Sequence, residues 1–223
     1  MLTIAHRGYA DDYPENSIEA ISVAAQTSDI VEIDVRMSAD SVPVVVHDAN
    51  LKRLRGVDVE VAACLADTLE AEYAVPRLST VLETVDTPLL VELKTETDVE
   101  EVITRCERSD SEVMYQSFNP RTIERIPADC PTVVLVATPE LRGAERVPEN
   151  VLTTTLEAIE FADRVSADGI AIHHSVCEPR LLGQLQTEGL DVFVWTVRSH
   201  ELGSELAALD VDGLITDSPR YIQ

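Results

Sequence analysis

Short apolar runs alternate with longer stretches of helical spacing from one end of the chain to the other. The runs fall at 2–5, 30–35, 89–93, 112–116, 132–137, 169–174, 191–197 and 213–217, and runs of this length bounded by turn residues read as buried strands. Between them, Ile18, Ile21 and Ala25 recur at helical spacing, as do Val99, Val102, Ile103 and Cys106. Asn16 or Ser17 is placed to cap the first helix; with Ser17 at the cap, Ala20 at the third helical position rules out a capping box. Asn119 precedes PRTIERI, with proline at the first helical position, and PRLLGQLQTEG opens on proline and stops at glycine. The run at 132–137 is followed by a Pro- and Glu-rich connection. Eight strands separated by helices predict a (β/α)₈ TIM barrel, at the lean end of that fold's size. A doubly wound sheet is the alternative. Neither a G-x-G-x-x-G turn nor a G-x-x-x-x-G-K-[ST] loop is present to support nucleotide binding.

Two segments depart from the alternation. Residues 42–46 follow the second strand after only a turn, too close for a crossover helix, so they are expected as a β-hairpin on that strand. Residues 49–75 have no clean period and are expected as a short insertion, with a short helix in VAACLADTLEAEY. Residues 1–223 are otherwise expected to make a single barrel domain, long enough to bury roughly 70% of the surface of its unfolded chain.

Charge narrows the choice of partners. The chain has 41 acidic and 17 basic residues, a formal net charge of −24, and only two lysines, Lys52 and Lys94. The acids are spread along the whole length, which argues against a nucleic-acid binder and against stable membrane association. So much like charge repels itself in dilute buffer and is screened in concentrated salt, so a salt-rich cytoplasm is the expected home. Cys64, Cys106, Cys130 and Cys177 are scattered and read as small core hydrophobes. No basic-then-apolar leader and no run of eighteen apolar residues is seen, so neither a signal peptide nor a membrane span is expected.

Candidate chemistry collects at the strand ends. Glu32 and Asp34 are two apart in VEIDV and so share one face of the second strand. His6 and Arg7 follow the first strand, His47 ends the hairpin run, and Glu92 and Lys94 flank the end of the third strand. Gln116 and Ser117, His173, Trp195 and Thr196, and Asp217 end later strands. In a barrel, such groups meet at one mouth. Glu32, Asp34 and Glu92 then offer three hard oxygen ligands suited to Mg²⁺ or Ca²⁺; the competing reading is a buried ion-pair network with Arg7 and Lys94. His6 and His47 are the histidines beside these acids, and imidazole exchanges protons near neutrality. His173 and His174 read as rim residues.

The sequence resembles the glycerophosphodiester phosphodiesterases, a (β/α)₈ family within the broader phosphatidylinositol-phospholipase-like group. The resemblance is carried by HRG at 6–8, PEN at 14–16, E-x-D-V at 32–35, PVVVHD at 43–48, PRLSTVLE at 76–83, VELK at 91–94, SF at 117–118, VWTV at 194–197 and DGLITDSP at 212–219, in the family's order. It implies metal-dependent hydrolysis of a small glycerophosphodiester to glycerol phosphate and an alcohol. By motif it implies His6 and His47 as the acid–base pair, Glu32, Asp34 and Glu92 as ligands of one divalent cation, and Arg7 and Lys94 at the phosphate. Trp195 would line the alcohol pocket, and Glu15 and Asn16 would shape the first loop. A phospholipase-like or cyclising phosphodiesterase and a non-catalytic phosphodiester-binding barrel are the alternatives. The chain departs from the family at Ser17, Ser41, Thr80 and Arg198, and in LKRLRG at 51–56 after the His-Asp pair. These departures bear on the choice of substrate more than on the presence of activity.

Overall fold

In the computed structural model, which describes residues 1–138 and 151–222, the eight apolar runs close into one parallel ring. The strands are β1 (Leu2–Ala5), β2 (Ile30–Met37), β3 (Pro43–Val45), β4 (Leu89–Leu93), β5 (Val113–Ser117), β6 (Thr132–Leu135), β7 (Gly169–His173), β8 (Asp191–Val197) and β9 (Gly213–Thr216). Their order is β1-β9-β8-β7-β6-β5-β4-β2-β3, and a further pairing of β1 with β2 closes the barrel. Strand β3 lies outside the ring, antiparallel to β2, with Val35 opposite Val45 and Met37 opposite Pro43. This is the (β/α)₈ barrel with a hairpin after the second strand. β2 runs two residues beyond the expected boundary because β3 pairs with its backbone.

Around the ring lie α1 (Ile18–Ala24), α2 (Lys52–Arg55), α3 (Ala66–Tyr73), α4 (Leu78–Leu82), α5 (Val99–Cys106), α6 (Pro120–Ile123), α7 (Thr155–Val165), α8 (Pro179–Thr187) and α9 (His200–Ala207). Ser17 caps α1, its hydroxyl accepting from the Ala20 amide at 3.1 Å. Asn119 caps α6 by accepting from the Arg121 amide at 3.0 Å. α6 is shorter than the spacing of PRTIERI predicts. Pro127 disfavours helical backbone at Ile126, and the chain leaves through tighter bonds from Arg125 to Thr122 and from Ile126 to Ile123.

The period of two sorts each strand into an outer and an inner column. Outward residues such as Val31, Ile33, Val91 and Leu93 pack beneath the helices in one apolar cluster. Ile170, Ile172, Val192 and Leu214 do the same in another, with Phe161, Leu182 and Leu206 from α7, α8 and α9. Each fully buried side chain of this kind contributes about 1.5–3 kcal/mol. The inward residues Ile4, Ile30, Leu90, Val133, Leu135, Ala171, Phe193 and Ile215 fill the barrel as an apolar plug. One inward step further along the strands the column turns polar, and the site begins there.

The segment at 49–75 has its own small core of Val44, Val46, Leu51, Val61, Ala66, Leu69 and Val75, which spans the hairpin and α3. Helix α2 within it was not visible from spacing, because four residues cannot display a helical period. All four cysteines are free thiols; Cys106 is buried and the other three are half-buried. The Pro- and Glu-rich connection at 139–150 lies outside the described residues. No helix among the described residues is long and apolar enough to cross a membrane.

Candidate active site

Strand β1 ends in a tight turn over His6, Arg7 and Gly8. Gly8 has φ +76°, and a Cβ there would lie 2.7 Å from the Ala20 carbonyl carbon, so this turn can rest on α1 only with glycine. Arg7 also takes a left-handed conformation, φ 51°, a backbone cost of about 1–3 kcal/mol that is typical of functional sites. The turn aims the Arg7 amide at Glu32, donating to Oε2 at 3.0 Å. Its side chain meets Glu15 Oε1 at 2.9 Å and Asp34 Oδ2 at 3.1 Å. Asn16, the other candidate cap, instead turns its side chain to the site and donates to Asp34 Oδ2 at 2.8 Å.

Glu32 and Asp34 project inward from β2, and Glu92 does so from β4 beside Asp34, its register partner. The three are 1%, 0% and 6% exposed, and one carboxylate oxygen from each lies within 4.8 Å of the others. Lys94 Nζ sits 2.6 Å from Glu92 Oε1 and 3.1 Å from Asp34 Oδ1. The expected ion-pair network and the expected ligand cluster therefore draw on the same carboxylates, with Asp34 and Glu92 paired to the cations and Glu32 bonded by the Arg7 backbone amide.

Three negative charges face two positive ones, and the imbalance is visible in the titration of the acids. Burial, reinforced by Asp34 and Glu92, pushes the Glu32 carboxyl well up. Burial and the charge of Asp34 push Glu92 up, although Lys94 opposes them. Burial acts the same way on Asp34, but Lys94 and Arg7 outweigh it and hold that group well below the usual range. Among the described residues, Asp34 Oδ1, Arg7 Nε and Gln116 Oε1 are buried without a hydrogen-bond partner; the Lys94 contact to Asp34 Oδ1 lacks hydrogen-bond geometry. A hard divalent cation fits this donor set, because it would satisfy the orphaned oxygen and relieve the crowding of carboxylates.

Both histidines are held from behind by a carboxylate. His6 Nδ1 bonds Asp217, which comes from beyond the end of β9 and also binds the Arg198 guanidinium. His47 Nδ1 lies 2.6 Å from Asp48 Oδ1. Asp48 in turn accepts from Arg53 Nε at 2.5 Å, and Arg53 grips both oxygens of Glu15 at 2.7 Å. A continuous relay therefore joins His47, Asp48, Arg53, Glu15 and Arg7 to Asp34. Burial lowers both imidazoles, to about 4 for His47, so each is neutral at neutral pH.

These groups face a cavity of about 380 Å³ lined by His6, Arg7, Glu32, His47, Glu92 and Lys94. Its far wall is aromatic. Trp195 meets Phe118 edge-on at 5.4 Å and His173 at 4.9 Å, and its indole donates to the Ala171 carbonyl at 3.2 Å. Of the residues singled out from the sequence, His6, Arg7, Glu32, His47, Glu92, Lys94, Gln116, His173, Trp195 and Thr196 open onto the cavity, whereas Glu15, Asn16, Asp34, Ser117 and Asp217 are not part of its wall. His174 and Arg198 also border the cavity. Ser17 and Thr80 lie on or beside α1 and α4, away from it. The roles of Asp48, Arg53 and Asp217 as partners of the histidines and of Glu15 were not read from the sequence. For Asp48 and Asp217, their position at a strand end next to a motif histidine or in DGLITDSP was the available signal.

A parallel eight-stranded barrel with a buried carboxylate triad able to hold a metal at its C-terminal mouth supports a class, the metal-assisted phosphodiester hydrolases. Comparison with known proteins agrees. The model of the "Glycerophosphoryl diester phosphodiesterase family" matches residues 6–221, and the chain belongs to that family. Bacillus subtilis YhdW is 27% identical over 246 residues, covering 100% of this chain and 96% of that protein. The crystal structure of a glycerophosphodiester phosphodiesterase from Thermotoga maritima superposes with a TM-score of 0.85 at 24% identity, covering 100% of this chain and 96% of the other. An Oleispira antarctica phosphodiesterase in complex with the product sn-glycerol-3-phosphate gives 0.82 at 24% identity, covering 100% and 95%. The two structural likenesses show the fold.

Proposed function

We propose that this protein hydrolyses glycerophosphodiesters to glycerol phosphate and a free alcohol, with His6 and His47 as the acid–base pair and Glu32, Asp34 and Glu92 holding one Mg²⁺ or Ca²⁺. The observation that carries this reading is the convergence of two imidazoles, two cations and the carboxylates of Glu32 and Glu92 on one cavity of about 380 Å³, with Asp34 completing the triad beneath its floor. The product bound to the Oleispira antarctica enzyme supports glycerol phosphate as the product here.

Asp217 and Asp48 are acceptors, so each histidine carries its proton on Nδ1 and turns a free Nε2 lone pair to the cavity. One imidazole takes a proton at Nε2 from the attacking hydroxyl, either water or the hydroxyl next to the phosphate. The other acts as the acid only once its Nε2 is protonated as well, an imidazolium form that the anionic phosphate favours, and it then gives that proton to the departing alcohol oxygen; a substrate lacking the neighbouring hydroxyl separates the two routes. Arg7 and Lys94, 13% and 7% exposed at their side chains, carry two positive charges at the edge of the cavity, where charge grows on the phosphate. When bound, the cation would withdraw charge from phosphate oxygens and acidify a coordinated hydroxyl. Trp195 and Phe118 offer an apolar wall to the alcohol or glycerol carbon skeleton.

A panel of glycerophosphocholine, glycerophosphoethanolamine, glycerophosphoglycerol, an intact phospholipid, a phosphoinositide and a cyclic nucleotide tests the reading, with Mg²⁺ or Ca²⁺ in high salt. Several glycerophosphodiesters should be cleaved at comparable rates and the other compounds hardly at all. Preference for the phosphoinositide would favour a phospholipase-like enzyme, and tight binding without turnover a non-catalytic barrel.

A further inference from the structure

His47 also borders a second cavity, of about 560 Å³, that the proposed chemistry does not use. Its lining holds three cations, Arg36, Lys52 and Arg53, against the carboxylates of Asp48 and Glu60. That is a local excess of positive charge on a chain whose net charge is −24. Arg53 is saturated by Glu15 and Asp48. Arg36 uses its Nε to donate to the His47 carbonyl at 2.7 Å, and among the described residues neither Arg36 nor Lys52 forms an ion pair with a carboxylate. Asp34, Glu92, Asp48 and Glu60 act on Arg36 only through space. Arg36 is half-buried and Lys52 is exposed, so both can present N–H donors to an anion that enters the cavity.

The placement of Arg36 relates this cavity to the first. Glu32, Asp34 and Arg36 occupy successive inward positions on β2, and one such step along a strand is about 6.6 Å. A cation therefore stands one step beyond the candidate ligand Asp34, and its Nε pins the backbone of the histidine that divides the two cavities. Lys52 comes from the LKRLRG stretch, where this chain departs from the family pattern and holds three of its seventeen basic residues.

We propose that Arg36 and Lys52 form an anion subsite that binds a second phosphate group on the substrate, so that the preferred diester carries a terminal phosphomonoester on the arm reaching past His47. The inference rests on the proposed function and adds a substrate class to it. A guanidinium and an ammonium suit a phosphate dianion, which accepts several charge-assisted hydrogen bonds at once.

The test compares glycerophosphoglycerol with the same diester phosphorylated on its terminal hydroxyl, at constant ionic strength, in wild type, Lys52→Gln and Lys52→Arg. Wild type should favour the phosphorylated diester by about tenfold or more in kcat/KM, and Lys52→Gln should cut that preference about fivefold, mainly through KM. Turnover of the unphosphorylated diester should change by less than about twofold, and Lys52→Arg should restore the preference. Equal rates for the two diesters in wild type, or an equal loss for both in Lys52→Gln, would overturn the subsite. Calorimetric binding of both diesters and of inorganic phosphate to His6→Ala protein gives a readout independent of turnover. Should neither diester be cleaved, the proposed function fails, while a tighter Kd for the phosphorylated diester that Lys52→Gln abolishes still supports the subsite. Equal Kd values would overturn it, and so would inorganic phosphate binding as tightly as the phosphorylated diester with the same dependence on Lys52.

Discussion

The two ends of the barrel interior are built from the same strands with opposite chemistry. On β2 the inner column reads Ile30, Glu32, Asp34 and Arg36, and on β4 it reads Leu90 and Glu92. On β1 and β9, Ile4 and Ile215 lead to His6 and Asp217. The apolar end is filled with packed side chains, as interiors are when they serve stability. The polar end holds three buried carboxylates, two of them pushed toward protonation, together with a left-handed arginine and hydrogen-bonding atoms left without partners. An interior selected only for stability would replace such a cluster with well-packed apolar side chains at little cost or at a gain. The difference separates the residues that keep the barrel shut from those that give it a reaction.

Substitutions at the two ends should separate function from stability. At the mouth, His6→Ala and His47→Ala should each lower turnover by about 10²–10⁴-fold while leaving cooperative thermal unfolding intact; near-normal turnover would remove that histidine from the mechanism. At the plug, Phe193→Ala should cost about 3–5 kcal/mol of stability, measured by denaturant unfolding, with kcat little changed in the fraction that stays folded. If Phe193→Ala proved as harmful to kcat as His47→Ala, the division between the two ends would not hold.

Titration sharpens the contrast. The His47 imidazole is lowered from its ordinary 6.5 to about 4 by burial, with Lys94 and Arg7 adding to the effect and Asp34 opposing it. Between those values the unfolded chain binds the proton more strongly than the folded one. This group therefore costs nothing above about pH 6.5 and destabilises progressively as pH falls towards 4, by an amount on the order of 3 kcal/mol. The difference in unfolding free energy between wild type and His47→Asn should be constant above about pH 6.5 and should change between pH 6.5 and 4, with wild type losing the more stability. Parallel pH profiles would contradict the assignment. The smallest effect concerns the exterior. Raising potassium chloride from low to molar concentration shortens the Debye length to about 3 Å and should relieve part of the repulsion among the excess acids. A relief of about 2 kcal/mol would raise Tm by roughly 4–8 °C, and an unchanged melting curve would argue against a salt-dependent fold.

Much of this arrangement was legible from the chain because its signals are local. Glu32 and Asp34 interrupt an apolar run with a period of two, and a strand has only one way to orient such a pair. Ser17 and Asn119 stand directly before helices and do cap them. What depends on closure of the ring was harder to read. The bond between His6 and Asp217 joins residues 211 positions apart, and no spacing rule links the first strand to the last. Arg36 was missed because β2 was ended at residue 35; the hairpin pairing of β3 extends the strand and carries the alternation one step further. Asn16 was read as a possible cap, whereas its φ of 58° and its bonds to Asp34 belong to the site. Helix α2 and the grip of Arg53 on Glu15 and Asp48 arise where the insertion folds back over the mouth.

Calorimetric titration of Mg²⁺ or Ca²⁺ into chelator-treated protein tests the central claim most directly, comparing wild type with Asp34→Asn and Phe193→Leu. The account predicts one binding site in wild type and in Phe193→Leu, and none in Asp34→Asn, with phosphodiester turnover returning in step with occupancy. Full turnover in metal-free protein, or an unchanged site in Asp34→Asn, would contradict it.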